Sequence, residues 1–486
     1  MLVYIYESLR GFRKVFSHHS SWLVFSVLVL GFIGSSEIAG VSSFCRFWLL
    51  EVTGYHSLLR FFRSDTWSLF GLQEQWSRWV LAQNETVMVG QRVVLLGDHT
   101  QVPKDGTRMP GVVTLHQDSE TQTKPSYFRG QYWGAIGLLI GKLKSPFCLP
   151  LALQIHQGRA QIEEDTPAEK PCATLGERLV TMALEWSLLH QRPSVLVLDA
   201  FFASKSVFER VDSVWSLKIK EPLVTVIVRA KKNYVAYFPA ESVKERKRGR
   251  PKTYGMKIKL MEMFDQSHLF VEKEISIYGK LEKVSLTTAH LFWKPTSSII
   301  CFVFAVTSRG PIILICNSLQ QNPWLALQLY CSRTRMETMF DCLKNVMNAF
   351  RFRFWSKCLP KASRKPTGNQ DLKKPKTAHG FRVVRGAWKA QEGFVTLATI
   401  AQGLLQMIAL KQTQHVWKQS HAFLRTKSRE LPSEKTVKQL LAPFIVHNFV
   451  DLATGGTMRE IRKHLFGANT LPSVQWEKPD AIKHAA

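Results

Sequence analysis

Acidic residues are scarce in this chain: 37 Asp and Glu stand against 65 Lys and Arg over 486 residues, giving a formal charge of +28 and a pI near 9.9. That imbalance argues against an enzyme of small metabolites and for a polyanionic partner, nucleic acid first and an acidic membrane second. Paired cysteines are lacking too. The eight cysteines (45, 148, 172, 301, 316, 331, 342 and 358) form no CxxC, and no Cys/His cluster has zinc-finger spacing, which excludes a zinc ribbon or finger. They read as reduced, mostly core residues of a cytosolic protein. The apolar run WLVFSVLVLGFI (Trp22–Ile33) has 12 residues, short of the ~20 that a bilayer span needs. It runs on into GSSEIAG with no small-residue cleavage site, so it is expected to be a buried helix rather than a signal or an anchor. Internal repeats are absent.

What is present is a globular composition, 45% hydrophobic and 11% aromatic, in a chain long enough for two to four domains and a core that needs no staples. Helical spacing of apolar and aromatic residues predicts a helical region over residues 1–88. Its interleaved Arg60, Arg63, Trp67, Trp76 and Arg78 suit a DNA-binding module or a helical domain with a basic exterior. From residue 89 the texture changes. QRVVLLGD, GVVTLHQDS, YWGAIGLLIG, SVLVLD and LVTVIVRA read as strands, and ATLGERLVTMALEWSLLHQR as an amphipathic helix, so 89–230 is expected to be α/β. Residues 231–320 break that rhythm with a basic run, KERKRGRPKTYGMKIKL, and three further strand candidates, which predicts a mostly β insertion. A helical stretch over 321–358, a basic Pro/Gly-containing linker over 359–388 and a helical C-terminal region over 389–486 complete the reading, the last a plausible dimer interface.

Two apolar strands end in Asp, at Asp98 and Asp199. Stiff strand ends on neighbouring strands would converge their carboxylates, and converging carboxylates bind hard divalent cations such as Mg²⁺ or Mn²⁺. Two such ions serve phosphodiester chemistry. The segment YCSRTRMETMFDCLK reads as one helix over 330–344. At 100° per residue, Tyr330, Arg333, Glu337 and Lys344 fall at about 0°, −60°, −20° and −40°, a single polar stripe. A carboxylate among two cations and a phenol suits a site where Glu337 binds metal while Arg333 and Lys344 hold phosphate. An Arg333–Glu337 surface ion pair is the plainer alternative.

Tyr-x2-Arg-x3-Glu-x6-Lys, here Tyr330, Arg333, Glu337 and Lys344, matches without a gap the signature of a large subgroup of bacterial insertion-sequence DDE transposases. The order of elements also resembles that family along nearly the whole chain. The resemblance implies a ribonuclease H-like core, a mixed sheet with flanking helices, with Asp98, Asp199 and Glu337 as a triad for two Mg²⁺ or Mn²⁺ ions. It further implies cut-and-paste DNA transposition, with cleavage at the element's ends and joining of their 3′ hydroxyls to target DNA. Tyr330, Arg333 and Lys344 would contact the DNA ends. The partners implied are transposon ends, target DNA and a second copy of the chain at synapsis, in a bacterial cytoplasm at the nucleoid and away from any membrane.

Some residues depart from the pattern or stay open. Asp199 is followed by AFFAS, where many relatives carry Arg. Asp105 and Asp118 rival Asp98 as first carboxylate, although neither ends a clear apolar strand, and Asp341 is a candidate secondary ligand. RKRGRP contains the Arg-Gly-Arg-Pro core of an AT-hook, which makes Arg246, Arg248 and Arg250 candidate DNA contacts, in a minor groove or on phosphate. Lys104 is a candidate phosphate contact or a surface turn residue, and Trp293 and Trp324 are stacking candidates or core. Two alternatives to a transposase are a transposase-derived DNA-binding protein without catalysis and a membrane-associated basic protein.

Overall fold

The computed structural model describes residues 1–38, 40–117, 126–163, 174–240, 252–366, 373–420, 430–450 and 460–461. Helices come first: α1 (Leu2–Arg10), α2 (His19–Gly34), α3 (Val41–Phe47), α4 (Val52–Arg63) and α5 (Leu69–Leu81). Strands follow as β1 (Met88–Val89), β2 (Arg92–Pro103), β3 (Val113–His116), β4 (Tyr127–Ile140) and β5 (Phe147–Ile155). Next come α6 (Leu175–Leu189), β6 (Ser194–Leu198), α7 (Lys205–Asp212), the short β7 (Trp215–Ser216) and β8 (Glu221–Pro222), and β9 (Val224–Arg229). A second run of strands comprises β10 (Val235–Pro239), β11 (Tyr254–Lys259), β12 (Val271–Ile277), β13 (Lys280–Trp293), β14 (Ser298–Thr307) and β15 (Gly310–Cys316). The chain closes with α8 (Pro323–Cys331), α9 (Thr334–Asp341), α10 (Ala378–Lys411), α11 (Thr413–Gln419) and α12 (Glu434–Val450).

One large mixed sheet organises these elements, in the order β11-β10-β13-β14-β15-β9-β6-β2-β4-β3, with β1 on β2, β5 on β4 and β12 on β13. Only β2–β6 and β6–β9 pair in parallel; every other contact in the sheet is antiparallel. Buried on both faces, β6 reads as an unbroken apolar run, as a central parallel strand should. A large mixed sheet with flanking helices is consistent with the ribonuclease H-like core that the resemblance implies. The strands expected as a separate insertion are indeed strands, but they extend the same sheet: β15 pairs with β9 at Leu314↔Arg229, so the edge a core strand would have exposed is paired.

The long helix α10 corrects the expected end of the linker. It begins at Ala378, capped by the Thr377 hydroxyl accepting from Gly380 N–H, so the linker does not extend to 388. Residues 351–366 lack regular structure, but Phe352, Phe354 and Leu359 are buried and Ser356 N–H donates to Arg108 O, so this stretch is packed down. Almost every side chain of α10 from Ala387 to Ala409 is buried, against β5, α2, α4 and α5. Its apolar stretch is thus the spine of the fold. It is the one described helix long and apolar enough to cross a bilayer, and 94% of its most apolar window is buried in the protein. The run Trp22–Ile33 lies inside α2, also buried, and packs on α10 and α12.

The N-terminal helices likewise turn their aromatics inward. Trp67 and Trp76 are buried, and the Trp76 indole donates to Pro150 O at 2.9 Å, which ties α5 to β5. Burial of so large a ring with its N–H satisfied is a core role, so these two tryptophans are not part of a basic DNA-facing stripe. Trp293 is core as well, against Phe208 and Tyr234, while Trp324 is half-buried with Lys273 over its ring. The described cysteines are all free thiols, six of them buried; Cys172 lies outside the described residues.

Candidate active site

Strand β2 does not stop at Asp98, as the sequence suggested, but runs on to Pro103. Its parallel pairing with β6 covers Val93–Leu96, while its antiparallel pairing with β4 continues from Leu95 to Pro103. The charged residue therefore marks where one neighbour ends. Leu96 pairs with Val197, and continuing that register sets Asp98 alongside Asp199, the residue at which β6 gives way to a 3-10 turn (Ala200–Phe202). A carboxylate is tolerated at this depth because the missing parallel strand opens the sheet to solvent.

Glu337 arrives from α9, and the helix predicted over 330–344 is broken. α8 ends at Cys331, Ser332 and Arg333 form a turn, α9 begins at Thr334, and a π turn occupies Cys342–Val346. The break tips Arg333 into the sheet, where one guanidinium meets all three carboxylates: Asp98 at 2.7 Å, Asp199 at 3.5 Å and Glu337 at 3.1 Å. Its side chain is 13% exposed, against 23% for Asp98 and 61% for Glu337. Burial pushes the Asp98 carboxyl up and outweighs the pull of Arg333 in the other direction. Burial works against the Arg333 charge, yet Asp98 and Asp199 together hold its pKa above the ordinary value.

The surroundings are built to keep this cluster in place. His99 N–H donates to Asp98 Oδ1 at 2.8 Å. The His99 ring meets His156, Nε2 to Nδ1 at 3.0 Å, and burial lowers both pKa values, to about 3 and about 2, so both rings are neutral. Gly134, opposite His99 on β4, leaves room for this pair: a Cβ there would lie 2.0 Å from the His156 ring. Tyr330, buried at the end of α8, has its pKa raised by burial and then by Asp199, and its oxygen accepts from Arg229. Leu198 pairs with Val228, which places Arg229 at the end of β9 next to Asp199. Arg229 went unnoticed in the sequence because its only signal there, a basic residue closing an apolar strand, is commonplace. Phe201 stands 59% exposed two residues after Asp199, with Phe202 buried behind it.

Other expected members lie elsewhere. Lys344 is half-buried on the π turn, its pKa lowered by burial against the pull of Asp341, and it takes no part in the ion pairs of the triad. Asp341 is exposed, accepts from Asn345, and lines a separate cavity with Lys435 and Lys438, so it is not set as a further ligand. Lys344 leaves the predicted stripe because the helix is broken at Ser332–Arg333 and passes into a π turn at Cys342, which a fixed 100° step cannot anticipate. Lys104 faces no solvent phosphate: it is buried over the Phe352 ring and donates to Phe350 O and Phe352 O, with its pKa lowered to about 7 by burial. Asp105 is exposed beyond β2. Asp118, Arg246, Arg248 and Arg250 lie outside the described residues.

Among the described residues no three acidic, His or Cys side chains close around a common point as a ligand set; the Arg333 guanidinium occupies the point on which the triad converges. The donor set is nonetheless all oxygen and already faces one cation, which is the chemistry a hard divalent ion requires. Residues 46–268, just under half of the chain, match the family model described as DDE superfamily endonuclease. The matched span holds Asp98 and Asp199 and ends before Glu337. No curated protein matches the chain.

Proposed function

We propose that this chain is a DDE transposase that cleaves DNA at the ends of its own element and joins them to a target. The observation that carries this reading is the meeting of Asp98, Asp199 and Glu337, from two adjacent core strands and a later helix, on one cation, Arg333, which lies 235 residues downstream of Asp98. A family match to an endonuclease over the two strands and a charge of +28 support it.

In this reading the three carboxylates would hold two Mg²⁺ or Mn²⁺ ions, which when bound would activate the attacking oxygen and stabilise the leaving one. Arg333 gives up its carboxylates and takes a phosphate group, whose two free oxygens its fork fits equally well. Tyr330 and Arg229 sit beside Asp199 to orient the strand, and the neutral His99–His156 pair keeps Asp98 in place without adding positive charge. Lys344, Arg246, Arg248 and Arg250 are further DNA contacts in the same proposal. Synapsis of two ends calls for two copies of the chain, acting at the bacterial nucleoid.

The test is cleavage of DNA carrying the inverted repeats that flank this reading frame, with Mg²⁺ or Mn²⁺. Wild type nicks the ends, and Asp98→Ala, Asp199→Ala and Glu337→Ala bind them without nicking. Undiminished cleavage by Glu337→Ala would overturn the assignment. A second reading, DNA binding without catalysis, is favoured by the one guanidinium that fills the centre of the triad. Wild-type protein that binds ends and never nicks them, with either metal, selects it.

A further inference from the structure

Strands β12 and β13 are joined by a two-residue loop, Tyr278–Gly279, since Ile277 pairs with Lys280. Both loop residues are left-handed, at φ 52° and 78°. Such a turn favours Asn or Gly at its first position, and a bulky aromatic held there is strained. The strained tyrosine is fully engaged. The Arg309 guanidinium lies 3.6 Å over its ring, and its hydroxyl donates to the Cys331 sulfur at the end of α8. Beside it, Gln328 Nε2 donates to Ser276 O at 3.2 Å. The hairpin tip is thereby clamped onto the break between α8 and α9, on the side away from the triad.

Between tip and helix lies a cavity of about 200 Å³, lined by Lys144, Tyr278, Arg309, Ser332, Thr334 and Arg335 among others. Among the described residues that line it, three are cations and none is a carboxylate. Glu282 is engaged by the Ser308 hydroxyl, which donates to it at 2.6 Å. Lys144 and Arg309, two like charges beside a small concavity, focus a positive potential into it. A guanidinium fork, an ammonium and hydroxyl donors are the groups that recognise a tetrahedral phosphate, and stacking on Tyr278 holds Arg309 ready.

We propose that this cavity binds one phosphate group, in the first place a backbone phosphodiester of a strand crossing the α8–α9 break; that source rests on the nuclease reading above. The experiment measures affinity for a labelled duplex of arbitrary sequence over a series of KCl concentrations, for wild type, Arg309→Ala and Lys144→Ala. Loss of one phosphate contact lowers the slope of log K against log[salt] by about 0.9, and this is expected for each variant. In parallel, inorganic phosphate is titrated against thermal unfolding. A phosphate-dependent rise in Tm that Arg309→Ala abolishes, with duplex slopes unchanged, identifies free phosphate as the source. Unchanged slopes together with an unchanged phosphate response overturn the proposal. Tyr278→Gly, which suits a left-handed turn, controls for folding and is expected to lower the slope in part, by releasing Arg309. The outcome is separable from the nuclease reading: Asp199→Ala abolishes cleavage there, yet leaves the slope difference between the Arg309 pair in place.

Discussion

The two sides of the broken helix α8–α9 differ in sign. On one, Arg333 stands among Asp98, Asp199 and Glu337; on the other, Lys144, Arg309 and Arg335 line a cavity with no carboxylate among its described lining residues. Neighbouring residues of one segment thus serve opposite electrostatic tasks, and the turn at Ser332–Arg333 makes this possible by rotating the two halves apart. Excess acid gathers a cation, while excess base gathers an anion. A nucleic acid in divalent-ion solution brings both. The comparison teaches that the net charge of +28 is not spread evenly: three carboxylates converge on one side of the break, and cations line the cavity on the other.

The largest expected effect falls on the acidic side. Alanine at Asp98, Asp199 or Glu337 should lower end cleavage by ~10³-fold or more, a loss of several kcal/mol of transition-state stabilisation, with DNA affinity kept. Gel assays of nicking and binding on one substrate check this, and cleavage that survives all three changes would erase the contrast between the two sides.

Next is Arg333→Ala. Removing one partner of a largely buried ion pair leaves uncompensated charge, at roughly 2–4 kcal/mol, toward the low end here because Asp199 and Glu337 are partly in water. Urea unfolding without metal should show that loss, and Mn²⁺ should restore more stability to the variant than it adds to wild type. An identical Mn²⁺ response would mean that Arg333 and the ion do not share a place.

Glu392 sharpens the comparison as a buried carboxylate on which burial outweighs the pull of its hydrogen bonds and of Arg159. Buried in α10 and accepting from Ile155 N–H at 2.9 Å, it has its pKa raised to about 7 by burial. A raised acid binds more protons folded than unfolded, so wild-type stability falls as pH rises through the window from 4.5 to about 7. Glu392→Gln should gain on wild type across that window, by up to about 3 kcal/mol, and then run level above it. Parallel pH–stability curves would refute the assignment. The smallest effect belongs to the basic side: Lys144→Ala, on an exposed lysine, should shift stability by no more than about 0.5 kcal/mol while changing the salt slope, as thermal melts and binding would show.

Legibility in the sequence followed the range of the interaction. Strands β2, β6, β9 and β13–β15 and helix α6, with its Thr174–Glu177 capping box, announce themselves through local period and composition. The three carboxylates were legible because two follow apolar runs and one sits in a spaced signature. Misplaced were the features set by distant contacts. Asp98 reads as a strand end because charge interrupts the apolar run, but β4 keeps the strand going. Trp67 and Trp76 look like a basic-aromatic surface until α10 and β5 cover them. Lys104 looks exposed beside Pro and Gly until Phe350 and Phe352, nearly 250 residues on, supply its acceptors.

By itself the sequence determined the α/β class, the basic character and a short list of candidate carboxylates (Asp98 with its rivals Asp105 and Asp118, then Asp199 and Glu337), since each depends on residue type and short-range spacing. Only the tertiary structure decided that a guanidinium stands at the centre of the triad, that Arg229 and the His99–His156 pair surround it, and that the strands of 235–316 continue one sheet. Those outcomes depend on where a helix breaks and which strands pair, and both are settled by packing between segments hundreds of residues apart, which no local pattern encodes.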